Sequence, residues 1–347
     1  MKRSGLAWVG ALGLLWSSGT GCKPGSAPGA GLGGLGVGRE QIAARAREVV
    51  RAAAESEAPE QRCHALESLA AQGGSEAGEQ IRGRLVDRVA AVRFAAAAAA
   101  GDVQDPAVRS AGGVLERLLR DEDPSVRLAA GYALEKLGDR RFGGWYDAAL
   151  GGSDLRLAGQ ACWLLGKLGE TEWRRDSRAK LWQALRRSGA TGGGAAVKLQ
   201  AAEALARLGD REVLPKLLAY AGSGYADDRL MAVSGLESLG GEEATAMLVV
   251  LVEDVQIEVR LAAIGALGWR ATADQVAAAR AALAYQDEQG DAAAMERVRG
   301  LAALALGRAG GQADGVALYR AMADKSAYVR VAAARAALDW LRRWTRR

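Results

Sequence analysis

A helix with its own start and stop signals recurs along this chain, and that recurrence limits the fold more than any other feature of the sequence. Its clearest copy is DEDPSVRLAAGYALEKLGD, from Asp121 to Asp139. Asp123 can cap a helix through its carboxylate, and Pro124 suits the first helical position, where its missing N–H would have no partner anyway. Val126, Ala130, Ala133, Leu134 and Leu137 fall at three- and four-residue steps, which places them on one helical face. Gly138 ends the helix, since glycine takes the left-handed conformation without a Cβ penalty. Arg127 lies in the first turn, close to the acidic run Asp121, Glu122 and Asp123.

The same basic slot marks the other copies: Arg62, Arg93, Lys198, Arg229, Arg260, Arg299 and Arg330. A ninth copy, LRLAGQACWLLGKLG, puts the slot at Arg156 by its start or at Ala158 by its LGKLG end, so its register is open by two residues. The intervals Arg62 to Arg93, Lys198 to Arg229, Arg229 to Arg260 and Arg299 to Arg330 are all 31 residues. A fixed period of this size signals stacked supersecondary units, each unable to bury its apolar face alone. The residues between motif helices leave room for one outer helix and two short turns. About nine helix pairs follow, over residues 39–347, in an all-α solenoid.

An acidic turn followed by VRxxAAxALxxLG resembles the HEAT-like repeats first described in phycobiliprotein bilin lyases. The resemblance implies an α-solenoid of paired helices with the motif helix in the inner layer. This repeat class serves very different functions, so it says little about activity.

Ahead of the repeats, Met1, Lys2 and Arg3 precede a mostly apolar stretch from Gly5 to Trp16, too short to span a bilayer and suited to the core of a secretory signal. SSGTGC, ending at Cys22, resembles the lipobox of bacterial lipoproteins, in which the cysteine is acylated and becomes the first mature residue. The competing reading is an ordinary cleaved signal with Cys22 incidental, although no A-x-A site lies nearby. Residues 1–21 are thus expected to be a lipoprotein signal, and 22–38, rich in Gly and Pro, a flexible tether reaching roughly 20 Å. The expected location is a cell-envelope membrane, with inner and outer both open.

The formal charge of +5 would ordinarily invite a nucleic-acid reading. With Lys2 and Arg3 removed the chain has 44 basic and 41 acidic residues, and four of those basic residues are Arg342, Arg343, Arg346 and Arg347 at its end. The surplus is therefore local, and no nucleic-acid partner is expected. Low aromatic content and abundant alanine, most concentrated from Ala95 to Ala100, fit helices that approach closely. Cys63 and Cys162 lie three repeats apart, beyond disulfide reach, and read as small buried hydrophobes.

Two intervals break the period, and insertions are where repeat proteins often carry their particular function. The first holds Trp173, Arg174, Arg175, Arg178, Lys180, Trp182, Arg186 and Arg187 on an outer helix. It reads either as a solvated face with inward tryptophans or as a basic patch for a protein partner or anionic lipid headgroups. The second reads as a lengthened outer helix, Thr272 to about Tyr285, followed by the loop Gln286 to Asp291. Tyr132 and Trp163 occupy equivalent positions, two residues before Leu134 and Leu165. They either fill gaps between helices or form a ledge for a partner. Trp340 and Trp344 with the final arginines read as an end cap or as a contact for anionic lipid.

The chain has one histidine, His64. That excludes His-rich metal sites, including the paired His–Glu ligands of the HEAT-like deoxyhypusine hydroxylases, and a Cys63–His64 dyad would have side chains about 100° apart. No cofactor, metal or catalytic residue is expected. The sequence is read as a non-enzymatic scaffold for a protein partner, tethered to a membrane through a lipid on Cys22. The alternative is a bilin-lyase-like enzyme or chaperone with a small-molecule or protein client.

Overall fold

A computed structural model describes residues 37–345 apart from 104, 140, 169–173, 188–192 and 288–289. The expected signal, the tether up to residue 36 and Cys22 lie outside the described residues. Among the described residues the chain is all helical, with no strand.

The helices run in order as α1 (Arg39–Ala54), α2 (Pro59–Gln72), α3 (Ser75–Arg84), α4 (Ala90–Asp102), α5 (Pro106–Arg109), α6 (Gly112–Leu118), α7 (Pro124–Lys136), α8 (Gly143–Gly151) and α9 (Leu155–Lys167). They continue as α10 (Arg174–Arg186), α11 (Gly193–Arg207), α12 (Leu214–Ala221), α13 (Ala226–Leu239), α14 (Glu242–Leu251), α15 (Ile257–Leu267), α16 (Ala273–Ala281), α17 (Ala292–Ala309), α18 (Asp314–Ala321) and α19 (Ala327–Thr345). All nine motif copies fall on helices: α2, α4, α7, α9, α11, α13, α15, α17 and α19. Shorter helices alternate with them, as the α-solenoid reading requires.

The fold divides into two compact units. One comprises residues 54–164. In it α2 packs on α4 and α4 on α7, while α3 and α6 cover α4 and α7 from the outside. The other comprises residues 165–347 together with α1. In it α11, α13, α15, α17 and α19 stack in succession, with α10, α12, α14, α16 and α18 each against an inner neighbour.

The motif's local chemistry explains these boundaries. Asp123 accepts a hydrogen bond from the Ser125 N–H, Pro124 occupies the first turn, and Gly138 has φ +105° beyond the helix end. Gly209, Gly240 and Gly268 repeat that left-handed stop. Inner faces are lined by small residues: Ala96 to Ala100, Ala129, Ala130 and Ala133 are all buried.

The register of α9 is settled by its cap. In α2, α4, α7, α13, α15 and α19 the slot residue donates its N–H to the carbonyl four residues back, for example Arg127 to Asp123 at 3.2 Å. In α9 it is Ala158 that donates to Asp154, at 3.0 Å, so Ala158 holds the slot. Arg156 instead reaches back to the Ser125 hydroxyl.

The second break is placed close to expectation. Thr272 forms a capping box with Gln275 at the start of α16. The helix turns 3₁₀ over Ala282–Ala284 before the loop. The added length also lies in α17, whose capping residue Asp291 stands eight residues before Arg299 rather than four.

Candidate interaction surfaces

The recurring arginine does two jobs with one guanidinium. Arg93 donates from Nη1 to the carbonyls of Asp87 and Arg88 in its own turn, six and five residues back. Its Nε and Nη2 fork binds both oxygens of Asp121, in the next repeat's turn, at 2.7 and 2.9 Å. Asp121 then accepts from the Asp123 N–H, fixing the turn, and its carbonyl accepts from Arg127. Arg62 joins Asp87 at 2.9 Å, Arg229 forks onto Asp254, and Arg299 onto Asp324, with Arg260 and Arg330 closing the following turns. At three of these junctions, Arg93–Asp121, Arg229–Asp254 and Arg299–Asp324, a repeat is thereby tied to the next by a bidentate, charge-assisted pair.

These pairs are nearly shielded from water: the side chains of Arg229 and Asp254 are 10% and 7% exposed. Burial works to raise the carboxyl pKa values of Asp87, Asp121 and Asp254. The arginine hydrogen bonds and turn N–H donors outweigh it and hold all three below the usual carboxylate range. In α2, α4, α7, α13, α15 and α19 the residue six before the slot is Asp or Ser and supplies the turn: Ser56 and Ser223 accept from the N–H two residues on, as the aspartates do. The offset is a sequence feature, but the partner each aspartate takes, the arginine of the preceding repeat, is set by stacking.

The aromatic ledge expected at Tyr132 and Trp163 is not present on the surface. Tyr132 is wholly buried and donates its hydroxyl to Asp102 at 2.7 Å; Trp163 is 6% exposed, its ring centroid 6.1 Å from that of Phe94. Gly101 is glycine because the Tyr132 ring lies 2.4 Å from where its Cβ would stand. Both aromatics fill gaps between helices.

Of the basic stretch, Trp173 and the side chains of Arg174 and Arg175 lie outside the described residues. Arg178 is part-exposed and places Nε 3.1 Å from Asp210, which also accepts from the Trp182 indole N–H at 3.0 Å and from the Glu212 N–H. Lys180 is mostly buried and pairs with Asp176. The described part of α10 thus pins the outer helix to the turn that starts the next repeat.

At the far end of the second unit, Trp340 is fully buried and donates its indole N–H to Gly311 at 2.8 Å, its ring lying where a side chain on Gly315 would go. Arg343 donates to the carbonyls of Arg308 and Gly310, which end α17. These are the actions of a cap. Beyond it, Arg39 of α1 donates to the Trp344 carbonyl at 3.4 Å.

Large apolar side chains remain exposed in the turns before inner helices: Val86, Tyr225 and Val255, the last at 84%. Trp269, after α15, is 54% exposed with the Arg270 guanidinium 4.6 Å from its ring centroid. Burial, first, and nearby Glu67 push the Cys63 thiol up to about 12, so it is protonated at neutral pH. His64 Nδ1 faces Glu67 at 3.8 Å. Among the described residues no group of His, Cys, Asp and Glu is arranged to hold a metal, and no helix is long and apolar enough to cross a membrane.

Stacked helical hairpins joined through capped turns define an α-solenoid repeat protein. The HEAT repeat family model matches residues 113–140, which include α7. Among solved structures the chain is similar to human deoxyhypusine hydroxylase in complex with glycerol, at 22% identity and TM-score 0.38, covering 87% of this chain and 96% of that one. It is similar to the CpcE and CpcF complex of phycocyanin lyase from Nostoc, at 20% identity and TM-score 0.30, covering 89% and 97%. Importin beta follows at 15% identity and TM-score 0.31, covering 85% of this chain and 46% of that one. At such scores none of these proteins lends its activity or partner to this chain. No curated protein sequence matches.

Proposed function

We propose that this chain is a non-enzymatic scaffold that holds a protein partner at a bacterial cell envelope, anchored by acylation of Cys22. The observation that carries the reading is how the recurrent charged groups are used. Arg62, Arg93, Arg229 and Arg299, with their aspartates, bind repeat to repeat, which leaves recognition to positions that differ between repeats. Val86, Tyr225, Val255 and Trp269 are such positions. The anchor is supported by the positive start, the short apolar run and the SSGTGC sequence ahead of a Gly/Pro-rich tether.

Two measurements test it. Radiolabelled palmitate should enter the wild-type chain and not Cys22→Ala. Crosslinking in intact envelopes followed by purification should recover a colourless chain joined to a specific polypeptide. A copurifying chromophore absorbing in the visible, or a turnover abolished by one substitution, would replace scaffold with enzyme.

A further inference from the structure

We infer that the α1 and α19 end of the second unit is a docking face for anionic phospholipid headgroups, holding that end of the scaffold against the membrane its lipid enters. The inference rests on the Cys22 anchoring reading and deepens it. Its first support is position: the Arg39 bond to the Trp344 carbonyl sets the start of the folded chain beside the last turns of α19. Only the sixteen residues 23–38 separate Cys22 from that point, a leash of roughly 20 Å if flexible. A lipid on Cys22 therefore keeps this end, of all parts of the unit, nearest the bilayer.

The second support is charge. Helix α1 carries Arg39, Arg45, Arg47 and Arg51, and α19 carries Arg330, Arg335, Arg342 and Arg343, against Glu40, Glu48 and Asp339 alone. Arg346 and Arg347 follow in sequence. Residues 55–326 have the opposite balance, 33 basic and 38 acidic. The positive end thus sits where the leash begins, and the rest of the fold is repelled from an anionic surface. Arg47 and Arg51 are on the exposed side of α1. Arg343 is held by the end of α17, Arg39 by the Trp344 carbonyl, Arg330 by its own turn, Arg45 by Glu48 and Arg342 by Asp339, so what the headgroups meet is the net positive charge of this end as a whole. An acyl anchor with a basic patch beside it is a two-signal arrangement, in which the patch orients what the lipid holds.

The test uses the full mature chain with Thr345→Cys bearing a fluorophore, reconstituted in vesicles whose brominated acyl chains quench a fluorophore that approaches them. Quenching is expected in vesicles containing phosphatidylglycerol, not in phosphatidylcholine alone, and is expected to vanish at about 0.5 M salt. Combining Arg342→Gln, Arg346→Gln and Arg347→Gln should abolish it while leaving the melting temperature in place. Equal quenching in both lipids, insensitivity to salt, or no quenching overturns the inference. Cys22 acylation is read separately, from the mass of the mature chain. If it is absent, the same labelled chain added to preformed vesicles still reports on the basic end, since each arginine near an anionic surface raises partition about fivefold.

Discussion

Each ladder arginine makes contacts whose losses leave different things behind. Removing Arg229 strands Asp254, a shielded carboxylate that keeps only its turn N–H donor and the Arg260 contacts around it. Breaking a buried pair this way costs about 3 kcal/mol. Arg260 bonds the carbonyls of Asp254 and Val255, which have other routes to solvation, so its loss costs about 1 kcal/mol. Denaturant melts should rank Arg229→Ala well below Arg260→Ala, and equal shifts would mean the fork contributes nothing. The same carboxylate makes stability depend on pH. Its folded pKa is depressed, so its stabilisation is complete above the unfolded value near 4 and disappears as pH falls through the folded value. The stability gap between wild type and Asp254→Asn should therefore be widest at neutral pH and shrink below about pH 4. A gap constant across that range would exclude the ionised pair as its source.

Helices meet through glycines as well as through turns. A Cβ on Gly307 of α17 would stand 2.8 Å from the Ala336 Cα and carbonyl oxygen in α19, both backbone atoms that cannot turn aside. On Gly235 of α13 it would meet the Leu217 Cδ2, a side-chain end that can rotate. Gly307→Ala should cost about 2 kcal/mol despite the better helix propensity of alanine, and Gly235→Ala clearly less. Thermal melts of the two variants make the comparison, and a reversed order would deny the close α17–α19 approach. The elements themselves were legible because their signals are local: Asp123, Pro124 and Gly138 each act within one turn of α7. Tyr132 was not legible. Periodicity places it on α7, but what decides its exposure is Asp102 and Gly101, thirty residues earlier and on another helix. The α9 register was undecidable for a related reason, since Arg156 occupies the cap region with a guanidinium shared between Asp154 of its own turn and Ser125 of α7.

For the whole molecule, chain order and spatial order part company at α1. It precedes α2 by four residues yet belongs with the unit made by residues 165–347, not with the unit that begins at residue 54. Its apolar stripe, Ile42, Ala46, Val50 and Ala53, is buried, and Arg39 grips the last turns of α19. The Arg39 bond thus ties α1 to the end of the final repeat, where a solenoid ordinarily ends in a polar cap. No sequence pattern announced this, because an amphipathic stripe shows that a helix must be covered and not by which partner. The consequence is a stability effect displaced along the chain. Ile42→Ala removes a fully buried side chain and should cost about 3 kcal/mol, charged to the second unit. Hydrogen exchange read by mass spectrometry should show faster exchange in α19, near 300 residues away, and leave α4 and α7 of the first unit as protected as before. Faster exchange in α4 and α7 with α19 unchanged would return α1 to the first unit, and would remove with it the structural link between the leash and the basic end.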